Sequence, residues 1–199
     1  MKQNCYQAAI AAFDQANAED PNQEMAEGKA YSKELLYAQR MSEMQERYVP
    51  EASEAVKLAV RAQHIQRWKI PRSNYAMDRI GYLQWRTTLY KFHAKTAGQI
   101  MQIAGYDETM IARVKAIVSK KGIKSNPETQ LMEDVVDLVF IEHYMAGFAT
   151  QHPEYDEAKW LDIIRKTWHK MSPQAHEFAL AGRIVLPEAL LPLILKAIQ

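Results

Sequence analysis

One cysteine, Cys5, stands in the 199 residues, so no internal disulfide can brace the chain. Seven glycines and eight prolines are too few for a collagen-like or low-complexity protein, and 48% hydrophobic residues are too many for a disordered one. No stretch approaches the ~20 consecutive apolar residues that a bilayer span needs. The most apolar tail, Ile184 to Ile198, is interrupted by Pro187, Glu188 and Pro192. The opening residues MKQNCYQAAIAAFDQANAED lack the apolar core and small-residue cleavage site of a signal peptide. These absences lead to the expectation of a cytoplasmic protein, without a membrane partner, forming a single domain over residues 1–199. There is no Walker loop, Rossmann glycine fingerprint, paired-Cys zinc site or nucleophile elbow, and no organic cofactor is indicated.

Charge of one sign is scarce in the whole chain, with 25 Lys and Arg against 24 Asp and Glu, but not along it. Between Glu54 and Lys95 nine basic residues stand beside two acidic ones, while the remainder carries 16 basic and 22 acidic. A local excess of this size marks either an anionic partner or a solvated helix face. The partner could be a small phosphorylated ligand, a nucleotide or a nucleic acid.

What the chain has in quantity is Ala, Leu, Met, Gln, Glu and Lys, side chains that lose little rotamer freedom in a helix. The expected fold class is all-α, one domain of about eight or nine helices, with no strand. Helices are expected at about 3–18, 27–48, from Glu54 to about Trp68, 75–104, 107–119, 128–150, 155–171, 173–181 and 187–198. Ser53 and Ser172 are expected N-caps and Gly105 a left-handed C-cap. The segment from Glu128 to Thr150 is apolar on nearly every side, which places it at the centre of the fold.

Several polar residues sit where helical spacing gives them apolar neighbours. His93 shares its face with Leu89, Tyr90, Thr96 and Ala97, so it points inward, either as a core histidine bonded to a carbonyl or as part of a site. Arg79, Arg86 and His93 recur every seven residues and line one side of their helix. Arginine forks match phosphate geometry, and buried ones need a counter-anion. Internal carboxylates at Glu133, Asp134 or Asp137 would serve as well as a phosphate. Those acidic residues lie in the most apolar helix, where each must be paired, neutral or metal-bound. His64 lies at a polar–apolar boundary. Together His64, His93 and Asp134 supply nitrogen and oxygen donors suited to a divalent metal. His152, His169 and His176 have no ligand spacing and are expected on the surface; Cys5 is expected to be inert.

The order His64, His93, Asp134 on successive helices resembles the ligand order of the HD-domain metal-dependent phosphohydrolases. The stretches Ala62-Gln-His-Ile-Gln-Arg-Trp68, Pro71-Arg72, Gly81-Tyr-Leu-Gln-Trp-Arg86, His93-Ala94, Gly105-Tyr106 and Leu131-Met-Glu-Asp134 through Glu142 more closely resemble the family known as domain of unknown function 4202, over about residues 1–182. The HD resemblance implies an HD-like helical domain in which His64, His93 and Asp134 hold a divalent ion (Mn, Co, Ni, Fe, Zn or Mg), with Glu133 as a further or alternative carboxylate. Ala94 stands where HD enzymes carry an aspartate, so the catalytic carboxylate role passes to Glu133 or Glu142. On this reading Arg67, Arg72, Arg79 and Arg86 bind substrate phosphate, and the reaction is hydrolysis of a nucleotide or small phosphorylated metabolite. Two other expectations follow from the same residues. The chain could be a non-catalytic module that binds an anion, a nucleotide or an RNA end, or a helical protein whose basic stretch meets a partner's acidic face.

Overall fold

Residues 2–198 are described by the computed structural model, with side chains from Cys5 onward. Helices hold 73% of the chain, which is all-α apart from one small hairpin. The chain divides into two compact units, residues 1–129 and 130–199.

The first unit begins with α1 (Lys2–Ala18) and a hairpin of β1 (Gln23–Ala26) and β2 (Lys29–Ser32), paired antiparallel with Ala26 opposite Lys29. It continues with α2 (Lys33–Tyr48), α3 (Glu54–Ala62), α4 (Arg79–Ile103) and α5 (Glu108–Val118). The hairpin was not expected from the sequence, which suggested a helix from Glu27. Glu27 and Gly28 both adopt positive φ, 50° and 75°, the geometry of a two-residue turn that matches strand twist. With Glu rather than Asn or Asp beside the glycine, the turn carries a weak signature.

The packing centre of this unit is α3. It lies against α1, α2, α4 and α5, and Ala55, Val56, Leu58, Ala59, Val60 and Ala62 are all buried. Three alanines among these six residues let neighbouring helices approach closely, and Ser53 caps the start by accepting from Val56 N–H at 3.3 Å. The helix ends at Ala62 instead of running to Trp68. Gln66 takes a left-handed conformation (φ 51°), its N–H donating to Asn17 Oδ1 at 2.9 Å, and 3₁₀ turns follow at Arg67–Lys69 and Arg72–Asn74. The next helix starts at Arg79 rather than Tyr75 because Asp78 caps it, accepting from Gly81 N–H at 2.7 Å. Gly105 closes it in the left-handed region (φ 93°), as expected.

The division between units falls in the first turn of α6 (Pro127–Val139). A π-type turn at Phe140–Tyr144 leads from α6 into α7 (Met145–Gln151), so the long apolar helix expected at 128–150 is interrupted. Met132, Val135, Leu138 and Val139 are fully buried. The second unit continues with α8 (Glu157–Lys170), α9 (Pro173–Phe178), a π-type turn at Ala179–Arg183 and α10 (Leu191–Ile198), which packs on α8. Ser172 caps α9, accepting from Ala175 N–H. His176 lies half-buried, flat against Trp168 with ring centroids 4.1 Å apart, instead of on the open surface. Its helical position one turn after the Ser172 cap turns it back onto α8. Among the described residues no single helix is long and apolar enough to cross a membrane.

Candidate functional site

Within the first unit, the turn that follows α3 and the middle of α4 bring His64 and His93 together, with ring centroids 5.9 Å apart. His93 is buried, and its Nδ1 donates to the Ile65 carbonyl at 2.8 Å. A carbonyl can only accept, so Nδ1 carries the hydrogen and Nε2 is left as a lone pair. That Nε2 is buried and has no hydrogen-bond partner among the described residues. The ring is also held neutral. Burial takes its pKa down to about 3, the Ile65 hydrogen bond opposing this in part and Arg67 adding to it.

His64 stacks on Tyr37, with centroids 4.2 Å apart and planes 18° from parallel. Its Nε2 accepts from Arg67 Nη1 at 3.1 Å, and its Nδ1 lies 3.4 Å from Glu34 Oε2. An acceptor at Nε2 places the hydrogen on Nδ1, facing Glu34. Burial pushes this histidine well below its usual range as well, helped by the charges of Arg67, Lys120 and Arg86 and by His93. Burial raises Glu34 to about 7, with Arg67 opposing and Asp20 reinforcing the rise. The His64–Glu34 contact is therefore one between a neutral imidazole and a carboxyl that titrates near neutrality, not a fixed ion pair.

The cations around this pair are arranged in an unusual way. Arg67 lies over Trp85, 4.7 Å from the ring centroid, while the Trp85 indole N–H donates to the Ile70 carbonyl at 2.8 Å. Arg86 is gripped by the hydroxyls of Tyr82 and Tyr90, and Lys120 lies 5.9 Å from the Tyr90 ring. Among the described residues neither Arg67 nor Arg86 forms an ion pair with a carboxylate. Arg72 pins its own loop by donating to the Tyr75 and Asp78 carbonyls at 3.1 and 3.2 Å. Arg79 is exposed at the first residue of α4. The seven-residue repeat keeps Arg79, Arg86 and His93 on one side but spreads them along the axis, with Arg79 about 21 Å from His93. Only Arg86 joins the histidine pair.

The acidic residues singled out in the sequence lie in the second unit. Asp134 accepts from Ser172 N–H at 2.8 Å, from Ser172 Oγ at 2.6 Å and from Gln130 Nε2 at 2.9 Å, holding the start of α9. Glu133 and Asp137 share Lys170, whose own burial would lower its pKa but whose two carboxylates raise it on balance. Glu142 sits in the π-type turn, accepting from Val185 N–H at 2.9 Å with His143 at 3.3 Å. Among the described residues no group of three or more His, Cys, Asp or Glu side chains is arranged to hold a metal ion.

Glu34 and Tyr37 were missed in the sequence. Both share the α2 face of Ala38 and Met41, which are buried, so a glutamate at core spacing was the available signal. Tyr82 and Tyr90 flank Arg86 four residues to either side, a pattern equally visible and equally unread.

A family model described as Domain of unknown function (DUF4202) matches residues 7–194. Searches of curated proteins and of solved structures found no match.

Proposed function

For a chain that belongs to the DUF4202 family, we propose that the first unit binds a phosphorylated small molecule or nucleotide at the cluster of His64, His93, Arg67 and Arg86. The observation that carries this reading is that two partly buried arginines, neither ion-paired with a carboxylate among the described residues, act on His64 beside His93, both histidines being held neutral, while the carboxyl within electrostatic reach of Arg67, Glu34, is raised to about 7. Guanidinium groups stay charged at any physiological pH, so withdrawing them from water without an anion is costly. Tyrosine hydroxyls and an indole face position the two forks without neutralising them, and Glu34, the carboxyl within electrostatic reach of Arg67, keeps its proton up to about pH 7. A phosphate group supplies both the charge and the bidentate geometry.

Thermal-shift and calorimetric screening across nucleotides and sugar phosphates tests the reading. Arg86→Met is expected to abolish binding and Arg86→Lys to weaken it, with little change in stability. A ligand bound equally well by wild type and Arg86→Met would make the arginine structural.

The pairing of His64 with His93 favours a second reading, metal-dependent hydrolysis of such a phosphate, the activity that would follow if the resemblance of the His64, His93, Asp134 order to HD phosphohydrolases extends to function. His93 Nε2 offers a free donor, while His64 Nε2 would first have to release Arg67. A divalent ion there would lower the pKa of a bound water and polarise a phosphoryl oxygen. Protein purified without an affinity tag should then carry a transition metal, or gain thermal stability from Mn²⁺, Co²⁺ or Ni²⁺. The absence of both results would overturn the hydrolysis reading and leave the binding reading standing by itself.

A further inference from the structure

We infer that this site selects an oxyanion carrying its own hydrogen, the ligand donating an O–H to His93 Nε2 while Arg67 and Arg86 hold its charge. The inference rests on the anion-binding reading and goes beyond it by naming which phosphates are taken.

Apart from the Glu34 carboxyl, which faces His64 Nδ1, the charged groups assembled around the histidine pair are donors. Arg67 and Arg86 donate, and Lys120, within electrostatic reach of His64, is another cation. Tyr82 and Tyr90 accept from Arg86 through their oxygens, so their own hydrogens are directed elsewhere. His64 offers one acceptor, Nε2, and spends it on Arg67. His93 offers a second ring acceptor, Nε2, and it is unspent. The backbone fixes this assignment, because the Ile65 carbonyl obliges Nδ1 to carry the hydrogen.

A buried acceptor left without a donor is costly, and it discriminates between ligands of equal charge. Sulfate satisfies the arginines but presents only lone pairs, so one of its oxygens would face the His93 nitrogen without a hydrogen between them. Hydrogenphosphate has the same charge and can turn its O–H onto Nε2. A phosphate monoester can do likewise when it retains one proton or when a neighbouring hydroxyl reaches the same point. The ligand class is therefore a hydroxyl-bearing or protonated phosphate, not a bare dianion.

Calorimetry on the full chain, stripped of divalent ions with EDTA at about pH 8, tests this with inorganic phosphate, sulfate and methyl phosphate. All three are chiefly dianions there, and only inorganic phosphate carries an O–H. Wild type is expected to bind inorganic phosphate at least about tenfold more tightly than the other two. Affinities equal within about twofold would overturn the inference and leave the anion reading standing, whereas no binding of any of the three would overturn both. A preference that appears only when a divalent ion is restored would assign the lone pair to a metal and also overturn it. His93→Gln replaces the lone pair by an amide that can donate, so the preference should fall to about twofold with sulfate gaining most. A folded variant that keeps the full preference would count against the inference; should the variant not fold, the wild-type comparison decides.

Discussion

At Glu34, burial and the neighbouring charges act on a single carboxyl whose pKa rises from the ordinary 4.5 to about 7. Between those values the folded protein keeps a proton that the unfolded chain has lost, so this residue's contribution to stability declines as pH rises through the window. His93 runs the other way. Its folded pKa, about 3, lies below the ordinary 6.5, so its contribution is present above 6.5 and is lost as pH falls toward 3. His64, lowered in the same direction, adds to that acid loss. Glu34→Gln is therefore expected to gain stability at about pH 8 relative to about pH 4, by of order 3 kcal/mol. Urea denaturation of wild type and variant at several pH values measures the difference. Parallel pH profiles would show that Glu34 titrates normally.

At the scale of elements, α4 is placed by its first turn. A Cβ on Gly81 would lie 2.1 Å from the Ala76 carbonyl oxygen, a distance no side chain tolerates, while its N–H is tied to Asp78. Gly81→Ala is expected to cost about 1–3 kcal/mol, because the loop must shift to admit the methyl group. The same shift would disturb Trp85, on which Arg67 lies, so phosphate affinity should fall together with the thermal midpoint. Unchanged stability would mean that the start of α4 moves freely. The apolar run at 128–150 was legible as helix, but not its π-type turn at Phe140–Tyr144, since a change of hydrogen-bond register leaves no mark in residue composition. Likewise Gln66 gave no local sign of a left-handed conformation, which is anchored by Asn17 from 49 residues away.

At the scale of the whole molecule, two compact units share one chain, and the family match spans both. The second unit has its own buried set, including Val139, Leu161, Ile164 and Ile194. Val139→Asp would bury an unpaired carboxylate and is expected to cost about 3 kcal/mol or more, read by chemical denaturation. Wild-type stability in that variant would mean that the end of α6 can turn its side chain to solvent.

Composition determined the helical class, because residues that lose little entropy in a helix dominate and few glycines interrupt them. Helical spacing determined that His93 faces inward, and local capping chemistry at Ser53, Ser172 and Gly105 determined three helix boundaries. Tertiary structure alone decided which charged groups meet. Arg79 and Arg86 are indistinguishable by spacing, yet only Arg86 comes near His64, and Glu34 joins the pair from another helix. Spacing along one helix specifies the face a side chain occupies, whereas its neighbours across the core depend on how helices distant in sequence pack together.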